Sequence, residues 1–170
     1  MRLENAAALE RWREELRAAR AVSSRVRVCA GTGCLAAGSA QILEAFREEE
    51  RRRGLSLDAG FRLEATGCHG FCEEGPLVVL EPSGICYRKV KASDVPEILD
   101  ALASGVPVQR LLYKDASGKV YPTEDSIPFY AGQDRQVLLR CGHIDPRELG
   151  DYVRAGGYRA LGLALAMKPE

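Results

Sequence analysis

Four of the six cysteines in this 170-residue chain fall into two close pairs. Cys29 and Cys34 enclose four residues, and Cys68 and Cys72 enclose three. Four thiolates delivered from two loops are what a 2Fe-2S cluster requires. The same donors suit structural zinc, although zinc knuckles favour the closer C-x2-C spacing. A dithiol redox site would want a single C-x-x-C, and the chain has none. A Rieske centre needs two histidines beside two cysteines, whereas His69 and His143 are the only histidines and just one lies near the pairs. Spacing and donor type therefore favour a 2Fe-2S cluster on Cys29, Cys34, Cys68 and Cys72. A zinc-stabilised interaction module and a thiol redox sensor stay open as alternatives.

The residues around the pairs fit that chemistry. Gly31, Gly33, Gly67 and Gly70 let the backbone bend tightly and bring N–H groups towards sulfur, which stabilises the reduced, more negative state. Cys86 alternates with Ile85 and Tyr87, as a packed strand residue does, and Cys141 reads as structural. His69, between two candidate ligands, reads as a solvated loop residue, with tuning of the centre as the second reading. Glu73 and Glu74 either add negative charge beside Cys72 or are simply solvated.

Positioning these loops is the task of the flanking elements. Val26 to Val28 reads as a strand, and Gly31, Gly33 and Gly38 as a flexible loop after it. Ser39 to Arg53 reads as a helix with Ile42, Leu43 and Phe46 on its apolar face and Gly54 as its stop. Phe61 to Ala65 alternates as a second strand, and Thr66 to Pro76 is a loop. Leu77 to Leu80 and Ile85 to Val90 flank the turn at Pro82-Ser83-Gly84. Asp94 is placed to cap a helix running to Ala103, with Val95, Ile98, Leu99 and Leu102 inward. The order β-α-β, then β-hairpin, then α predicts an α/β fold, a small sandwich of thioredoxin type. In it the first two strands are parallel through a right-handed crossover, so both cysteine loops leave the same sheet edge.

The rest of the chain frames this domain, 25–106. An N-terminal helix over Asn5 to Ala21, within 1–24, carries Leu9, Trp12 and Leu16 on one narrow stripe. Residues 107–134 are punctuated by Pro122, Pro128 and Gly132 and read as a linker or C-terminal arm. Tyr113, Tyr121, Phe129 and Tyr130 along it are expected to pack or dock. Over 135–170, Val137 to Arg140 reads as a strand, Asp145 to Glu148 as a helix start, and Tyr158 to Met167 as a last helix.

Composition excludes several classes. Lys plus Arg equals Asp plus Glu, 24 each, which argues against a general nucleic-acid or membrane-surface binder. The run Glu48 to Arg53, EEERRR, is a solvated helix end ordered to suit the helix dipole. No signal peptide and no run of about 18 apolar residues is present, so a cytoplasmic location is expected, where cysteines serve metals or redox chemistry rather than disulfides.

The motifs C-A-G-T-G-C at 29–34 and T-G-C-H-G-F-C-E-E-G-P at 66–76, followed by P-L-V-V-L-E-P-S-G-I-C-Y and D-V-P-E-I-L, resemble the thioredoxin-like 2Fe-2S ferredoxins. The likeness spans residues 25–112. It implies a one-electron carrier in which Cys29, Cys34, Cys68 and Cys72 are all ligands. A second resemblance covers I-P-F-Y at 127–130, V-L-L-R-C-G-H-I-D-P at 137–146 and Y-V-R-A-G-G-Y-R-A-L at 152–161. These look like the start of the flavin-binding NADH dehydrogenase subunit, as in NADH-linked electron-bifurcating hydrogenases and soluble NAD-dependent formate dehydrogenases. That likeness implies an electron-transfer module of an NAD-dependent oxidoreductase. FMN, NAD and a 4Fe-4S cluster would belong to a missing or partner portion, and other subunits of the complex would be the partners.

Overall fold

The computed structural model describes residues 4–18, 24–54 and 61–167. The chain divides into two compact units, Ser23–Ile144 and a second built from both chain ends, Met1–Val22 with Asp145–Glu170.

The first unit is organised by a four-stranded sheet of β1 (Arg25–Cys29), β2 (Arg62–Thr66), β3 (Val78–Glu81) and β4 (Ile85–Tyr87), in the order β2-β1-β3-β4. β1 runs parallel to β2, with Cys29 opposite Thr66, and antiparallel to β3, which forms a hairpin with β4. This is the expected α/β arrangement, and the parallel pair sends both cysteine loops out at one edge. Strand side chains alternate between faces. Val26, Val28, Val78, Leu80 and Tyr87 point to one side, where they are buried with Ile42 and Phe46 and with Val95 and Ile98. Those partners lie on α3 (Ser39–Arg53) and α4 (Val95–Ser104). Glycines in the left-handed region frame α3, Gly38 at φ 101° and Gly54 at φ 62°, where a Cβ would be strained.

The other face is covered by the C-terminal arm. Leu77, Val79 and Cys86 are buried there with Ile127 and Tyr130. The arm pairs with β4 through bridges from Leu112 to Tyr87 and from Thr123 to Ile85. It also forms a small ribbon of β5 (Tyr113–Lys114) and β6 (Val120–Tyr121) and a short helix α5 (Pro128–Ala131). Residues 107–134 thus lie against the sheet rather than standing off from it.

Three sequence expectations need correction. The loop after β1 contains a short helix, α2 (Thr32–Ala36), closed by Leu35 N–H donating to Gly31 C=O. Val137 to Arg140 forms turns, not a strand, and leaves Val137, Leu138 and Leu139 exposed; no sheet edge among the described residues is paired with it. The helix expected from Asp145 begins later, as α6 (Leu149–Arg154). The Asp145 carboxylate accepts instead from the Arg147 N–H two residues on, at 2.9 Å, making a local turn.

In the second unit, α1 (Ala6–Ala18) packs on α6. Its buried Arg13 donates to the carbonyls of Val153, at 2.9 Å, and Gly157, at 2.8 Å. The expected helix end at residues 19–21 lies outside the described residues. The last helix, α7 (Arg159–Ala166), exposes Leu161, Leu163 and Leu165. No helix among the described residues is long and apolar enough to cross a membrane.

Candidate metal centre

Cys29 ends β1, and Cys34 follows on α2, both buried at 1% exposure. Cys68 and Cys72 lie in the loop after β2, Cys68 half-buried and Cys72 exposed. The Cys68 and Cys72 sulfurs are 3.7 Å apart. In the inner pair the Cys34 thiol donates to Cys29. That bond holds the Cys29 thiol down to about 5, aided by backbone N–H groups of His69 and Gly31 aimed at its sulfur. Sharing the proton with Cys29, and burial, push Cys34 up. Burial likewise pushes Cys68 up, against a bond from the Gly70 N–H at 3.3 Å.

The glycines are required by close approach. A Cβ on Gly31 would lie 2.7 Å from the Cys68 Cβ, and one on Gly33 would lie 3.3 Å from the Cys72 sulfur. A Cβ on Gly75 would stand 2.6 Å from the Cys34 sulfur. The α2 loop is thereby pressed onto the Cys68–Cys72 loop. Among the described residues no three His, Cys, Asp or Glu side chains are arranged to hold a single metal ion. The donors come instead as two cysteine pairs, a set that fits a 2Fe-2S group.

Cys86 and Cys141 stand apart from the pairs. Cys86 is buried in the sheet's second apolar layer, where burial pushes its thiol up; Cys141 is half-buried in the turn before Gly142. Glu74 pairs with Arg88 and Lys89, and Glu73 is exposed. The arm's aromatics pack on the ligand loop itself: Phe71 stacks on Phe129 with centroids 4.3 Å apart and also meets Tyr113 and Tyr130.

His69 is the clearest departure from expectation. It is 1% exposed, not solvated. Its Nδ1 is 2.8 Å from Glu124 Oε1 and its Nε2 3.1 Å from Thr66 Oγ1. Glu124 in turn meets Arg27, which also contacts Glu81, the Gly142 carbonyl and His143. Burial pushes the Glu124 carboxyl up, but His69, Arg27 and His143 outweigh it and hold the group below the usual range. Nothing in the sequence pattern links His69 to Glu124, 55 residues away; the nearest signal is Arg27, a charge on a strand that must be buried on both faces.

Two cysteine pairs on adjacent loops of an α/β sheet fit a small iron–sulfur electron carrier. Residues 15–103 match the family model of the thioredoxin-like [2Fe-2S] ferredoxins. The chain is 40% identical over 79 residues to a 2Fe-2S ferredoxin of Clostridium pasteurianum, covering 46% of this chain and 76% of that protein. It is 38% identical over 80 residues to a 2Fe-2S ferredoxin of Aquifex aeolicus, covering 46% and 71%. The crystal structure of the wild-type thioredoxin-like [2Fe-2S] ferredoxin from Aquifex aeolicus superposes with a TM-score of 0.49 at 32% identity, over 56% of this chain and 100% of that one. The chain belongs to the thioredoxin-like [2Fe-2S] ferredoxin family. It is accordingly a 2Fe-2S electron carrier of ferredoxin type, and zinc and thiol sensing are set aside as its primary chemistry.

Proposed function

We propose that Cys29, Cys34, Cys68 and Cys72 are the cluster's ligands and that the chain works as an electron-transfer module of an NADH-linked oxidoreductase assembly. The observation that carries the ligand set is the parallel pairing of β1 with β2, which puts both cysteine loops at one edge with Cys29 opposite Thr66. When bound, the cluster accepts and releases one electron at a time. The protein's part is to supply thiolate, exclude water and leave one side open. The inner pair is sealed by Leu77, Val79 and Tyr130. Cys72 reaches the surface, so electrons exchange with a partner on that side.

The assembly is read from the motifs over 127–161, which are similar to the start of the flavin-binding NADH dehydrogenase subunit. A bifurcating hydrogenase or a soluble formate dehydrogenase is the corresponding setting, in the cytoplasm. The exposed leucines of α7 supply apolar surface for other subunits of such a complex.

The ligand set is tested by iron and sulfide analysis of single Cys→Ser variants. Cys68→Ser is expected to bleach the visible spectrum or strongly perturb the reduced-state EPR signal. Full iron with an unchanged spectrum in that variant refutes the assignment. The assembly is tested by adding NADH with a purified FMN- and NADH-binding subunit of such an enzyme; appearance of the reduced-cluster EPR signal supports it, and its absence with an active subunit opposes it.

A further inference from the structure

The polar groups of His69 are all engaged. Its ring nitrogens meet Glu124 and Thr66, its carbonyl accepts from Arg135 at 2.7 Å, and its backbone N–H is aimed at the Cys29 sulfur. A carboxylate held ionised can only accept, so Nδ1 is the donor to Glu124. The ring is also wedged by backbone: a Cβ on Gly142, at φ 83°, would lie 2.8 Å from Nδ1. Glu124 itself is fixed between His69 and the Arg27 guanidinium, 3.4 Å away. It lies at residue 124, beyond the 15–103 stretch that matches the ferredoxin family.

We propose that Glu124, reaching in from the arm, is a positioning residue for the metal centre: it anchors the His69 ring and thereby holds the His69 N–H on the sulfur of Cys29. The inference rests on Cys29 being a ligand. An N–H···S bond stabilises the more negative, reduced state and so raises the potential. Loss of the Glu124 charge also raises it, since a nearby anion opposes reduction. The two effects have opposite signs in a truncation, which makes them separable. Glu124→Gln removes the charge but keeps an oxygen to accept from Nδ1. Glu124→Ala removes both. Glu124→Asp keeps the charge but draws the carboxylate back from Nδ1 by one methylene.

The experiment is redox titration of the full-length, cluster-loaded variants at one pH, with iron and sulfide content and amide exchange of the 66–72 segment measured alongside. Glu124→Ala is expected to titrate below Glu124→Gln by about tenfold in the reduction equilibrium, or about 59 mV for one electron. It should also exchange faster at 66–72. Equal potentials for the two at full iron content overturn the proposal. If Glu124→Ala does not hold a cluster, Glu124→Asp decides: a potential below wild type supports the anchor, and the wild-type potential overturns it. All these variants retain the four cysteines, so a failed ligand assignment would show in the Cys→Ser series and not here.

Discussion

Gly75 faces the sulfur of Cys34 so closely that a Cβ there would lie 2.6 Å from it, and 3.3 Å from the Cys72 carbonyl. The backbone of the second ligand loop therefore passes directly over a donor from the first. At φ −72° the glycine is not needed for its torsion angle; it is needed for space. Gly75→Ala is expected to displace Cys34, costing about 1–3 kcal/mol as overpacking does and lowering iron occupancy at purification. Iron analysis and thermal melts of the variant check this, with Gly54→Ala as a comparison where a Cβ meets nothing within 4 Å but the backbone is left-handed.

Cys86 shares an apolar layer with Cys29 and Cys34 yet belongs to β4, away from both loops. Cys86→Ala is expected to keep full iron and sulfide and to cost about 1 kcal/mol for a small buried truncation. Iron loss in Cys86→Ala would mean that the ligand set had been chosen wrongly.

The cysteine loops were legible in the sequence, and their supports were not. Two strands joined by one helix leave few topologies, and the parallel one brings residues 29 and 68 to one edge whatever the side chains between them do. The His69–Glu124 contact has no such guide, because Glu124 sits in a polar turn of an arm without periodicity, and a polar residue in a loop reads as solvated. Arg27 alternates with the inward Val26 and Val28, and the arm covers the face it points to and makes it part of a buried ion cluster. Val137 to Leu139 carried a strand-like apolar run, but a strand needs a paired edge as well as a pattern. Asp145 offered two local bonds from one side chain, a helix cap and a turn, and Pro146 beside it allowed either.

Acid should weaken the first unit through two groups acting in the same direction. Glu124 has its folded pKa lowered, so its contribution is fully present above the unfolded glutamate value near ~4.3 and is lost as pH falls through the folded value. Burial and the Arg27 guanidinium hold His143 down. For a base the unfolded state then binds the extra proton first, so stability falls as pH drops below about 6.5. Denaturant midpoints between pH 7 and 4 are expected to decline, and Glu124→Gln should flatten the limb below about pH 4.3 while leaving the histidine limb. An unchanged acid limb in that variant would remove Glu124 from the account.

The loop after β1 opens a helix and carries Gly31 and Gly33, a placement that in other α/β folds cradles a phosphate. Here both glycines already have neighbours: Gly31 abuts Cys68 and Gly33 abuts Cys72, so the space a phosphate would take is occupied by sulfur-bearing side chains. The chain alone is therefore expected not to oxidise NADH, with or without added FMN. Mixing the purified, cluster-loaded chain with NADH and a dye acceptor should give no turnover, and calorimetry should show no tight NADH binding. Turnover by the chain alone would place a nucleotide site elsewhere in it and would make it a dehydrogenase in its own right rather than a relay.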